Sequence, residues 1–239
     1  MIPRTIHYCW FGRGAMPELA QKCIASWHKY MPDWDYKLWN EDNFDVSQVV
    51  YIKEAYEARK YAFVSDFVRL FVLEREGGIY LDTDVEVFRS FEELLEFRAF
   101  AGFEGSKYLP LGTCVLASEA HGIWVSEQLD YYRDRHFLKE DGTMDNTTNV
   151  QFITAKMREQ GFVQNGMEQD FKDLHVFPVD YFCPMQTTGE FFRTNNTYCN
   201  HLGMGSWMDR KDGLKARIGR LVGRKNMIRL IKLKRNLLG

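Results

Sequence analysis

With 239 residues and 45% hydrophobic content, the chain can bury one substantial core with room for a small appendage, so one α/β domain is the simplest architecture. Its five cysteines (Cys9, Cys23, Cys114, Cys183, Cys199) are odd in number and widely spaced, with no Cys-x-x-Cys pair, which argues against a disulfide framework or a zinc site and for a reducing compartment. The net charge of −2 hides an uneven distribution: residues 213–239 carry nine Lys or Arg and no Asp or Glu, leaving a body of about −11.

From the N-terminus, Met1 to Tyr8 contains neither a long apolar region nor a small-residue cleavage site, and no later stretch is apolar enough to span a bilayer; a cytoplasmic location is expected. The first strand is predicted over Thr5 to Trp10, ending in the turn Phe11-Gly12-Arg13-Gly14. A helix follows from Glu18 to Tyr30, then a strand from Tyr36 to Trp39. Helical periodicity is strongest from Val49 to Glu76, where Tyr61, Phe63, Val64, Phe67, Val68, Leu70, Phe71 and Leu73 supply a wide buried face. Gly77-Gly78 stops the helix and hands over to an apolar strand carrying Asp82 and Asp84. Beyond it the pattern predicts a strand over Gly112 to Ala117, helices over Trp124 to Arg135 and Val150 to Gln160, and an aromatic, loop-rich segment from Tyr181 to Trp207. Strands alternating with helices, with an acidic pair at a strand end, describe an α/β nucleotide-binding architecture.

Side chains alternate along a strand, so Asp82 and Asp84 are expected to point the same way. Two like charges held that close are relieved by a hard divalent cation such as Mg²⁺ or Mn²⁺, which in turn favours a phosphate ligand. The alternative is a solvent-facing pair on an antiparallel strand. The glycines before the strand favour the cation, because they let the backbone approach another group closely. In the preceding helix, Asp66 and Arg69 stand at i, i+3 beside Ser65 and interrupt the apolar face. They form either a plain salt bridge or a pocket for vicinal sugar hydroxyls.

The runs Tyr61-Ala62-Phe63-Val64-Ser65-Asp66-Phe67-Val68-Arg69 and Gly77-Gly78-Ile79-Tyr80-Leu81-Asp82-Thr83-Asp84-Val85-Glu86-Val87 resemble the signature of the family 32 glycosyltransferases, a group that includes yeast-type mannosyltransferases and bacterial capsule enzymes and is related to the large glucosylating toxins. The opening Ile2 to Gly12 and the late His201-Leu202-Gly203-Met204-Gly205-Ser206-Trp207 are similar to the family as well. The resemblance implies a Rossmann-like, glycosyltransferase A-type catalytic domain over residues 1–210, a nucleotide-sugar donor, a divalent metal (Mn²⁺ or Mg²⁺) and transfer with retention of configuration. By position it implies that Trp10 stacks on the base, that Ser65, Asp66 and Arg69 bind the sugar, and that Asp82 and Asp84 serve ribose and metal. His201 becomes a third contact to metal or diphosphate, with Ser206 and Trp207 near the diphosphate. Where the family often has His-His this chain has His201-Leu202, and where it often has Gly-Pro the chain reads Asp145 to Gln151, leaving Asn146, Thr148 and Asn149 as pocket candidates. Tyr80 alternates onto the face of the two aspartates and is placed either in the pocket or in the core.

The expected activity is transfer of a hexose, from a UDP-linked donor in preference to others, onto a lipid-diphosphate-linked oligosaccharide in capsule, O-antigen or exopolysaccharide assembly. A nucleotidyl- or phosphotransferase would use the same acidic pair, but usually with more sequence between a Gly-Gly turn and its carboxylates. A non-catalytic membrane-associated protein would explain the basic end and leave the aspartates without a purpose. Over residues 211–239, Leu214, Ile218, Leu221 and Val222 recur at helical spacing among the cations. Such a basic amphipathic helix suits the anionic cytoplasmic face of a membrane. Docking on the acidic body is the alternative, and nucleic acid is set aside as a partner.

Overall fold

The computed structural model describes residues 1–105, 110–184 and 191–203. Ser206, Trp207 and the basic segment 211–239 therefore lie outside the described residues.

Among the described residues, nine strands and six α-helices follow one another as β1 (Thr5–Cys9), α1 (Glu18–Tyr30), β2 (Asp35–Trp39), α2 (Val50–Glu57), α3 (Tyr61–Glu76), β3 (Gly78–Leu81), β4 (Val85–Val87), β5 (Ala99–Phe103), β6 (Leu111–Ser118), α4 (Ile123–Asp130), α5 (Asn149–Glu159), β7 (Gln169–Phe171), β8 (Leu174–Phe177), α6 (Val179–Phe182) and β9 (Cys199–His201). Seven strands form one sheet in the order β2-β1-β3-β6-β5-β8-β7, while β4 and β9 form a separate antiparallel ribbon. The pairs β1–β2, β1–β3 and β5–β8 are parallel, whereas β6 runs antiparallel to both β3 and β5. The expected α/β architecture is thus present, as a mixed sheet.

Alternation along the strands splits the core in two. Ile79 and Leu81 join Ile6, Trp27 and Phe100 on one side, and Tyr80 joins Phe67, Leu70 and Leu73 of α3 on the other, as a sheet covered on both faces requires. Gly77, at φ 67°, caps α3 by donating its N–H to the Leu73 carbonyl, 3.0 Å away. Gly78, at φ 109°, starts β3 where a Cβ would lie 2.7 Å from the Thr5 carbonyl oxygen and 2.9 Å from His7 Nε2. The group these glycines approach closely is therefore the protein's own backbone and its first strand.

The structure corrects the expected elements at several points. The helix read over Val49 to Glu76 is two helices, broken where Arg59 adopts the left-handed φ of 58° and the Lys60 N–H reaches back to the Ala55 carbonyl; neither Gly nor Pro marks that break. Trp10 lies one residue past β1, and α4 ends at Asp130 rather than Arg135. Most consequentially, Asp82 and Asp84 do not share a strand. β3 stops at Leu81, and a turn closed by the Val85 N–H donating to the Asp82 carbonyl at 3.0 Å turns the chain out of the main sheet, so that β4 can pair with β9.

Candidate active site

Parallel pairing brings the carboxyl ends of β1, β3, β5 and β8 to one edge of the sheet, where α/β proteins bind ligands. Trp10 follows β1, the acidic turn follows β3, and Glu104 follows β5. Strand β6 runs the other way and brings its beginning to the same edge, so that the Asp82 N–H donates to the Cys114 carbonyl at 2.9 Å. In the small ribbon, Val85 stands opposite His201, and the Leu202 N–H donates to the Asp84 carbonyl at 3.0 Å. This pairing sets His201 Nε2 3.3 Å from Asp84 Oδ1. One ligand atom from each of Asp82, Asp84 and His201 lies within 4.8 Å of the others. Although the strand alternation predicted for the aspartates is absent, the turn brings both carboxylates to one place. Two carboxylates and an imidazole are a donor set that fits Mn²⁺ or Mg²⁺.

Behind that group runs a buried ion-pair chain. Arg69 Nη2 lies 2.9 Å from Asp66 Oδ1 and 3.3 Å from Asp82 Oδ1, while Nη1 donates to the Thr113 carbonyl at 2.6 Å and Nε to the Ser65 carbonyl at 3.3 Å. The guanidinium, with 6% of its side chain exposed, also lies over the Tyr80 ring, 4.7 Å from its centroid. Tyr80 donates its hydroxyl to Asp82 Oδ1 at 3.0 Å, so this buried side chain both packs in the core and reaches the site. Asn149 opens α5 and joins from the far side: its backbone N–H donates to Asp66 Oδ2 at 3.2 Å, and its amide nitrogen to the Asp66 carbonyl at 2.6 Å. Thr148 caps that helix in a capping box with Gln151.

The titration of these groups follows their surroundings. Burial pushes the Asp66 carboxyl up, against the pull of Arg69 and the Asn149 N–H. Burial also opposes the Arg69 charge, yet Asp82 and Asp66 hold its pKa well above the ordinary value. Pairing therefore serves the two partners unequally. The guanidinium is the better served, because two carboxylates share one cation. Burial alone would lower the His201 pKa, but the Cys114 sulfur and the Asp84 carboxylate raise it well above that of free imidazole.

Other candidates lie at the margin. Half-buried Trp10 donates its indole N–H to the Gly14 carbonyl at 2.6 Å, leaving its ring faces as its remaining means of contact. The Ser65 hydroxyl donates to the Tyr61 carbonyl at 3.2 Å, a bond within its own helix. Asn146 and Thr148 precede α5. The sequence pattern does not single out Thr113, Glu104, Cys114 or Cys183, all of which reach this edge through sheet topology that no local pattern reveals.

The family model described as "Glycosyltransferase sugar-binding region containing DXD motif" matches residues 17–101, so the chain carries a DXD-type glycosyltransferase region that includes Asp66, Arg69, Asp82 and Asp84. Over 106 residues it is 34% identical to inositol phosphoceramide mannosyltransferase 3 of Schizosaccharomyces pombe, covering 41% of this chain and 29% of that protein. Over 120 residues it is 31% identical to a mannosyl phosphorylinositol ceramide synthase of Saccharomyces cerevisiae, covering 47% of this chain and 29% of that one. The chain therefore spans less than a third of the length of these curated relatives. Among solved structures it is similar to the PaToxG glycosyltransferase (TM-score 0.48, 19% identity, 67% of this chain and 70% of that one). It is also similar to a glycosyltransferase involved in glycosylation of the major capsid of PBCV-1 (TM-score 0.46, 11% identity, 87% and 96%). At these scores neither likeness bears on activity.

Proposed function

We propose that the protein is a metal-dependent glycosyltransferase that moves a hexose from a nucleotide sugar to an acceptor carried on a lipid. The observation that carries this reading is the convergence of Asp82, Asp84 and His201 on one point of the sheet's carboxyl edge, inside or beside the matched DXD region. In this reading Asp82, Asp84 and His201 hold Mn²⁺ or Mg²⁺, which when bound neutralises charge on the departing nucleoside diphosphate. Arg69 pairs with Asp66 and Asp82 and orients them, and Asn149 fixes Asp66 from the other side. Trp10 offers a ring face to the base. Retention by front-face attack of the acceptor hydroxyl belongs to the same reading, since Asp66 and Asp82 are both tied to Arg69 and so are poorly placed to act as free nucleophiles.

A UDP-hexose is the first donor to test. The mannosyltransferase names of the fungal relatives favour GDP-mannose as a second. Those names also concern a phosphoinositol lipid, and together with the basic segment 211–239 they support an acceptor held at a membrane surface. Capsule, O-antigen and exopolysaccharide assembly are the routes that use such acceptors on a lipid diphosphate, and the cytoplasmic membrane face is the corresponding location.

The test is a thermal-shift series with UDP, GDP, UDP-hexoses and GDP-mannose, each with Mn²⁺ or EDTA, on the wild type and on Asp84→Asn. A ligand present at a hundred times its Kd adds about 2.7 kcal/mol of stability. Stabilisation by one nucleotide class that needs Mn²⁺ and is lost in Asp84→Asn is the expected outcome. A wild-type chain indifferent to every nucleotide with either metal condition would overturn the donor site.

A further inference from the structure

Beside the acidic turn a second group of side chains meets. The Glu104 carboxylate, the Cys114 and Cys183 sulfurs and the His201 imidazole each bring one ligand atom within 4.8 Å of the other three. They arrive from four separate places: the end of β5, the interior of β6, the residue that ends α6 and the last residue of β9. The two sulfurs are 3.4 Å apart, and both thiols are buried and free.

Buried cysteines commonly act as small hydrophobes, and two in contact would need no further account. A carboxylate and an imidazole converging on the same pair do need one, because polar groups drawn out of water require partners of matching chemistry. Two thiolates, one imidazole and one carboxylate are the donor set of a four-coordinate zinc ion. Zinc–ligand distances of about 2.3 Å to sulfur and about 2.0–2.2 Å to nitrogen and oxygen place the corners of such a tetrahedron roughly 3.3–3.8 Å apart. The two sulfurs, 3.4 Å apart, stand a few tenths of an ångström inside the roughly 3.8 Å edge set by two Zn–S bonds of about 2.3 Å.

We propose that Glu104, Cys114, Cys183 and His201 form a second cation site, for zinc or a similarly soft divalent ion. It lies next to the hard-cation group of Asp82 and Asp84 and shares His201 with it. Binding releases the two thiol protons and the proton held on the His201 imidazole to solvent, and the cation takes their place with two Zn–S bonds. The site does not depend on the sugar-transfer reading, since its donors hold the metal whatever reaction the neighbouring aspartates serve. It also revises the expectation drawn from cysteine spacing: the absence of Cys-x-x-Cys excludes a zinc site built within one loop, not one assembled from β6, α6 and β9.

The experiment uses the full chain, purified in reducing buffer without chelator, with metal content measured by mass spectrometry. The metal-stripped protein is then titrated with Co²⁺ and followed by absorption. One zinc per chain and a thiolate-to-cobalt charge-transfer band are expected, with the band retained in Asp84→Asn and lost in Cys114→Ser. Because a serine in the core can disturb folding, the wild-type band is the primary readout; weakened Co²⁺ binding in Glu104→Gln, with circular dichroism unchanged, is the second. A cobalt spectrum without thiolate absorption would overturn the proposal, as would a Cys114–Cys183 disulfide found by peptide mapping. Loss of the band in Asp84→Asn would overturn the separation of the two sites.

Discussion

Arg69 holds the acidic edge together: one guanidinium reaches Asp66, Asp82, the Thr113 carbonyl and the Ser65 carbonyl, and stacks on Tyr80. Its planar fork satisfies several acceptors in fixed directions, which a lysine ammonium cannot copy. Removing it leaves Asp66 without its cation and Asp82 without its brace, and breaking a buried pair from one side costs about 3–5 kcal/mol. Arg69→Ala is therefore expected to lower the unfolding free energy measured by urea titration by an amount in that range. Arg69→Lys is expected to recover part of the stability while weakening Mn²⁺-dependent nucleotide binding, because a point charge does not hold both carboxylates in place. Equal stability of Arg69→Ala and wild type in a urea titration would show that the chain of ion pairs is incidental. At this scale the sequence was informative where spacing is local: the i, i+3 relation of Asp66 to Arg69 is a contact. It was silent where contact depends on tertiary pairing, as with Thr113, and although it offered Asn149 as a pocket candidate it did not disclose the backbone N–H bond to Asp66.

Elements, more than single residues, decide where the acidic pair ends up. Hydrophobic periodicity made α1, β6 and α5 legible to within a residue or two, because each has an apolar face to bury; the edge strand β2, with no buried residue, was legible to within one residue as well. It failed at Arg59, where a left-handed residue divides α2 from α3 without glycine or proline, and at Asp82 to Val85, where the demand of β4 for β9 turns the chain out of the sheet. Strands β5, β7 and β8 escaped notice because they are short and, in the case of β5, buried on both faces. Gly78 shows the opposite case, in which one residue type discloses its geometry. With φ at 109° and atoms of Thr5 and His7 within 3 Å of where a Cβ would stand, Gly78→Ala combines backbone strain, on the order of 1–3 kcal/mol, with displacement of β1. Chemical denaturation of this variant should give a loss of at least that size, and Gly14→Ala, where no neighbour stands within 4 Å, should give almost none. Similar losses for the two variants would mean that the β1–β3 contact is not tight.

Across the whole molecule the decisive property is charge asymmetry, which the sequence displays directly: nine cations and no anions over residues 213–239, against a body of about −11. Among the described residues no helix is long and apolar enough to cross a membrane. Each Lys or Arg near an anionic leaflet contributes about 1 kcal/mol, and that attraction decays within a Debye length, about 10 Å at 0.1 M salt. The full chain should therefore sediment with vesicles containing anionic lipid at low salt and be released as salt rises, and it should ignore purely zwitterionic vesicles. Reversing three charges in Lys232→Glu, Lys234→Glu and Arg235→Glu together should shift release to lower salt. The competing arrangement, in which the segment lies on the protein's own acidic body, makes the opposite prediction: low salt would strengthen the internal contact, and vesicle binding would appear only as salt weakened it. The sign of the salt dependence thus separates the two arrangements, independently of whether the catalytic edge is loaded with metal or nucleotide.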